Sequence, residues 1–229
     1  MKQPSYSWLG GATLALGLCL PGAPVSAQQV PGAWALKATP QHLVLSGYWL
    51  EAERARPGHP RQTFTLGPQL YWGPAGRPDA ARTPIDPNRN VTVRGGGLQL
   101  QHRFYLGNAA TAAQVPTGFY LGYGPQVQVF RLLFEGSQWY ETVLHNGLPY
   151  LVYGPVRYHE TALRYGVAGQ VGYQWLLSQR VLLDVYAGVG IRKSHSWSDF
   201  GESQFRSGSS DYAHEGLYVP AGFKLGIVL

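Results

Sequence analysis

Cysteine and methionine are nearly missing. The 229-residue chain holds one of each, Cys19 and Met1. Both lie in a leading segment with its own logic, and from Gln28 onward there is no thiol. That excludes a disulfide framework, a thiolate nucleophile and cysteine-ligated metal from the rest of the chain. Charge is scarce too: 13% of residues against the usual ~25%. With aromatics also at 13%, this is the opposite of a disordered composition. No stretch after residue 27 has 18 consecutive apolar residues, so no membrane-spanning helix is expected there. The net charge is +6, but the basic residues are scattered and form no run, which argues against a nucleic-acid partner. With 30 glycines and 17 prolines, a helix bundle is a poor fit.

The leading segment reads as an address. Lys2 is its only charge, an uncharged apolar stretch runs from Trp8 to Leu20, and Val25 and Ala27 are the small residues of a cleavage site. That is a secretory signal, expected to be cut after Ala27. The apolar run is too short for a spanning helix, which needs ~20 residues.

What the remainder has is alternation. In 161–175, Leu163, Tyr165, Val167, Val171, Tyr173 and Trp175 share one parity, and Arg164, Gly166, Ala168, Gln170, Gly172 and Gln174 the other. In 181–192, Val181, Leu183, Val185, Val189 and Ile191 alternate with Asp184, Tyr186, Gly188, Gly190 and Arg192. At the C-terminal side Leu217, Val219, Phe223, Leu225 and Ile227 alternate with Tyr218, Lys224 and Gly226. Side chains of a strand point alternately to opposite faces, so each segment is a strand with one oily side. Noisier alternation covers 63–72, 98–106 and 118–133. A strand is expected over 42–54 and a short one over Trp34 to Thr39, which makes eight.

The non-oily face decides the environment. It is Gly, Gln, Ala and Tyr with few charges, a poor solvent surface but a suitable cramped interior. Apolar-out, polar-in alternation over segments of about ten residues is the pattern of a transmembrane barrel. Lipid demands that every backbone group pair internally, so the sheet must close. The expected fold is an all-β, eight-stranded antiparallel up-and-down transmembrane barrel over 28–229. Leu163, Val167, Val171, Val185, Val189, Phe223 and Leu225 are expected to face lipid. Counted back from the C-terminus, the connections alternate: long at 193–213, 136–158 and 74–90, short around Leu177–Arg180 and 55–61, intermediate at 107–116. The long ones are expected outside the cell, opposite both termini. The first external connection, around Pro40, must be tight.

Gly169-Gln-Val-Gly-Tyr-Gln-Trp175 with Arg180-Val-Leu-Leu-Asp-Val-Tyr-Ala-Gly-Val-Gly190, and Ala35-Leu-Lys-Ala-Thr39 leading to Glu51 and Glu53, resemble a small outer-membrane barrel family of Bacteroidota, among them the domain of unknown function 3575 group. The resemblance implies a closed barrel in the bacterial outer membrane, surrounded by lipid and lipopolysaccharide and placed there by the barrel insertion machinery. It implies no activity and carries over no functional residue.

The chemistry-bearing residues are charges in or beside strands: Lys37, Glu51, Glu53, Arg94, Arg103, Arg164, Asp184, Arg192 and Lys224. A charge on the lipid face costs ~2–4 kcal/mol at the midplane, so most should point inward. An eight-strand interior is just wide enough for its own side chains, so these read as a packed network closing the bore rather than an ion path. More cations than anions are expected in it, with Asp184 paired to a cation of another strand, and Tyr186 and Tyr218 filling the remainder. His195, Ser196, Ser198, Asp199 and Glu202 contain the residue types of a hydrolytic triad, as in the lipid A deacylase barrels. A Ser- and Gly-rich loop, however, would not hold them in fixed geometry. The histidines, His42, His59, His102, His145, His159, His195 and His214, lack metal-ligand spacing, so no metal and no cofactor is expected. Gly95-Gly-Gly97, with no helix after it, suits a bend at a strand opening rather than a phosphate loop. The expected function is a structural or surface-contact role through external loops, without catalysis. The alternatives are a narrow small-solute transporter, a lipid-modifying hydrolase and a soluble lipocalin-like barrel with an oily interior.

Overall fold

The computed structural model describes residues 33–75, 90–111, 114–143, 147–199 and 211–229. Residues 1–27, expected to be a signal segment, most of the 74–90 connection and Glu202 lie outside the described residues. Nine strands form one antiparallel sheet: β1 (Trp34–Ala38), β2 (Gly47–Arg56), β3 (His59–Pro74), β4 (Asn90–Tyr105), β5 (Gly118–Val143), β6 (Pro149–Leu176), β7 (Val181–Ser198), β8 (Gly216–Tyr218) and β9 (Ala221–Val228). From β1 to β8 each strand pairs with the next in sequence, and β9 closes the ring by pairing with β1, Ala35 opposite Val228. β8 and β9 both pair with β7 in one continuous register and are parted only at Val219 and Pro220. The ring is therefore an eight-stranded up-and-down barrel whose last strand is interrupted where proline withholds an N–H.

The outer face is apolar around the waist. Of the residues expected to face lipid, Val167, Val171, Val185, Val189, Phe223 and Leu225 are 41–60% exposed, and Leu163 is half-buried. Leu66, Leu70, Leu100, Leu121 and Ile227 join them, far beyond the few hundred Å² of apolar patch normal on a soluble monomer. Aromatic residues border this belt. Trp34, Phe119, Tyr173 and Trp175 ring the end holding both termini, and Tyr48, Trp72 and Tyr165 the other. Such girdles mark the two interfaces of a membrane barrel. Above the second girdle the facing inverts. Arg94, Arg131, Glu135, Arg157 and Lys193 point outward, while Val91, Val93, Phe130, Leu132 and Phe134 fill the inside.

Two connections and one glycine run differ from expectation. Residues 136–158 are not a long loop: β5 and β6 stay paired up to Val143 opposite Pro149. β4 stops opposite Glu135 and β7 opposite Glu160, so the tip of β5–β6 is a two-stranded ribbon that runs on past both neighbouring strands. β5 has 26 residues, whereas ~9–11 tilted residues cross a membrane. β7 likewise runs on to Ser198, which puts His195, Ser196 and Ser198 on a strand rather than in a loop. His195 and Ser196 are neighbours there and so point to opposite faces. Gly95–Gly97 sits inside β4 in unbroken register with β5, so there is no rim bend. A Cβ at Gly97 would come within 2.8 Å of the Val127 carbonyl and 2.7 Å of the Gln128 side chain, so glycine lets the strands and their luminal side chains approach.

The first connection is a 3-10 helix, Pro40–Leu45, where a strand was expected to begin at 42. Pro40 ends β1 after five residues and opens the helix. The helix turns into the mouth. Gln41 donates to the Tyr186 hydroxyl at 3.2 Å, and the His42 ring stacks on Trp49 at 3.5 Å. It stands beside the start of β9, where β1 has already ended.

Candidate functional site

The bore is arranged in tiers. Nearest the termini, Ala35, Val115, Leu182 and Val228 form a small apolar floor. Above it lies a charge cluster contributed by five strands: Lys37 on β1, Glu51 and Glu53 on β2, Arg103 on β4, Asp184 on β7 and Lys224 on β9. None of the six side chains is more than 4% exposed. Lys37 Nζ lies 2.5 Å from Glu53, 3.0 Å from Asp184 and 3.6 Å from Glu51, and it also donates to Gln174. Arg103 grips both oxygens of Glu51 at 2.8 and 2.9 Å through one nitrogen and reaches Asp184 at 3.1 Å with another. Lys224 meets Glu51 at 2.5 Å. Hydroxyls complete the carboxylate shells. Tyr105 and Thr63 donate to Glu53 at 2.7 and 2.6 Å, and Tyr120 donates to Asp184 at 2.8 Å.

Three cations thus face three carboxylates. The cation excess expected of the lumen is absent within this tier, because Glu53 shares the parity of Glu51 and turns inward with it, while Arg164 and Arg192 sit higher. Burying six charges is tolerable only when each is paired and hydrogen-bonded, as these are. Sequence reasoning missed the tyrosines and glutamines of this tier. Tyr105 has the parity of Arg103, which was a usable signal. Which residues meet across the bore depends on strand stagger, which alternation does not report.

The remaining charges are elsewhere. Arg94 points outward with its guanidinium 4.6 Å from the Trp72 ring centre. Arg164 and Arg192 face the lumen but above the cluster, separate from it. Arg164 donates to the Gln128 side chain and to the Asp211 main-chain carbonyl, both at 2.7 Å, and lies over Phe130. Arg192 stacks on Tyr218 and its Nε donates to His214 Nδ1 at 3.3 Å. Partial burial, with the Arg192 and Arg164 guanidiniums nearby, holds the His214 imidazole below its ordinary pKa, so it is neutral at pH 7 and able to accept.

Between the charge cluster and the apolar upper tier lies a cavity of about 460 Å³, walled by Trp49, Tyr71, Tyr186, Tyr212 and Tyr218. Tyr218, expected to help fill the plug, lines this space instead.

No family model matches the chain, and no curated protein matches it. Among solved structures it is similar to the CarO and CarO2 proteins of Acinetobacter baumannii. Each is 10% identical, with 89% of this chain and 99% of that chain covered and a TM-score of 0.39.

Proposed function

We propose that this is a closed, non-catalytic barrel of the bacterial outer membrane that acts as a structural and surface-contact protein. Export would follow cleavage after Ala27, and insertion machinery, lipid and lipopolysaccharide would be its partners. Kinship with the small Bacteroidota barrels belongs to the same proposal and rests on the glycine- and aromatic-patterned segments quoted above. The observation that carries the reading is the sealed bore. Six buried charges from five strands are bonded to one another, with Tyr105, Tyr120 and Gln174 packed among them. A narrow transporter would need a path through that tier. The apolar belt between aromatic girdles supports the membrane setting. The surface available for contact is the β5–β6 ribbon, with Trp139, Leu151 and Tyr153 exposed on it. The test is planar-bilayer recording of the purified protein. The reading expects no steady porin-like conductance, and a stable open level would refute it.

A further inference from the structure

The cavity above the plug has a charge pattern that the sealed-barrel reading does not use. Of the described residues lining it, three are cations, Arg164, Arg192 and Lys224, and none is a carboxylate. Lys224 is neutralised by Glu51 in the tier below. Arg164 has no carboxylate oxygen within ion-pair distance among the described residues: it is only 7% exposed, its hydrogen-bond acceptors are the neutral amide of Gln128 and the main-chain carbonyl of Asp211, and the Asp211 carboxylate acts on it only from farther off. A guanidinium has five N–H donors in a fixed fork suited to a carboxylate, and these two bonds use two of them. An ionised group so deeply placed is ordinarily given a counter-charge in direct contact. His42, on the same wall, has a buried Nε2 without a hydrogen-bond partner among the described residues, and in the neutral ring it can carry a second donor. The other walls are aromatic and aliphatic, with the neutral amides of Gln126 and Gln170 among them. Trp49 and Tyr71 hold each other by a 2.9 Å hydrogen bond, with Tyr186 and Tyr218 across the space. The volume lies within the ~300–1,000 Å³ of small-molecule sites, and an apolar lining with a few convergent polar groups is their usual make-up.

We infer that this vestibule binds a small organic monoanion with an aromatic body, its carboxylate on Arg164 and its ring among the tyrosines and Trp49. The site goes beyond the sealed-barrel reading and uses the plug only as its floor. Its wall includes the exposed Leu217 and Val219, where β8 and β9 part, so a ligand can reach it without crossing the plug and a failure of binding leaves the conductance prediction standing.

The test is isothermal titration of the full barrel, without its signal segment, in zwitterionic detergent with 3-phenylpropionate. The same-shaped alcohol, 3-phenylpropan-1-ol, and the amine, 3-phenylpropylammonium, serve as comparisons. Saturable one-to-one binding of the acid is expected, with both comparisons weaker by about 10- to 100-fold, the worth of a charge-assisted hydrogen bond. Arg164→Gln should bring the acid down to the level of the alcohol while far-UV circular dichroism and heat-modifiable gel mobility stay unchanged. Should that variant fail to fold, the charge series on the unaltered chain still decides. Equal binding of acid and alcohol, no binding of the acid, or full affinity in a folded Arg164→Gln barrel overturns the inference.

Discussion

Asp184 is where the plug converges: Lys37, Arg103 and Tyr120 all bond to it, from three other strands. Replacing it with Ala leaves Lys37 and Arg103 facing two carboxylates instead of three in a space closed to water. Urea unfolding in phospholipid vesicles should show Asp184→Ala destabilised by roughly 3–5 kcal/mol, the cost of stranding a buried charge. A loss below about 1 kcal/mol, the size of an exposed pair, would mean that water reaches the cluster and the bore is not dry. Most of these residues were legible from parity alone, because a strand gives each side chain one of two directions. The same rule places Arg94 outside, since it shares parity with Leu98 and Leu100, and its neighbour there is Trp72. Arg164 and Arg192 were legible as luminal but not as a group apart. Their height in the bore comes from register, fixed by strand pairing rather than by any local pattern.

At the scale of elements, the misread segment was 136–158. Both faces of the ribbon meet water, so neither is selected to be oily and alternation fades just where β5 and β6 leave their neighbours. The surviving signal was the Asn146-Gly147 dipeptide, typical of tight hairpin turns, and Gly147 has φ +80°. The 3-10 helix was hidden for another reason. Its Leu43, Val44 and Leu45 read as strand by composition, but Pro40 ends β1 and the chain turns over the mouth. Among the described strands the ribbon pairs only with itself. Replacing residues 139–153 with a two-residue turn should therefore leave the urea stability of the barrel within about 0.5 kcal/mol of the parent. A drop of several kcal/mol in the shortened barrel would show that the ribbon braces the wall.

On the scale of the whole molecule, one chain meets three environments, and the side-chain pattern changes at each boundary. Around the waist the outside is oily and the inside polar. Beyond Trp72, Arg94, Arg131 and Lys193 the charges turn outward and Val93, Phe130, Leu132 and Phe134 turn inward. The free ribbon follows neither pattern. Closure and the oily exterior were readable because lipid imposes them on every strand at once. The apolar upper tier was not, because it obeys the rule of a soluble core. The central claim is the facing of the waist, and β6 tests it most directly. The chain's only cysteine is Cys19, so in a barrel prepared from Gln28 onward single cysteines can carry nitroxide spin labels at 165–171, with the barrel in lipid bilayers. Labels at 165, 167, 169 and 171 should collide readily with dissolved oxygen and little with a water-soluble nickel chelate. Labels at 166, 168 and 170 should be shielded from oxygen. The opposite parity, or no alternation across the seven positions, would contradict a barrel that wears its oily side outward.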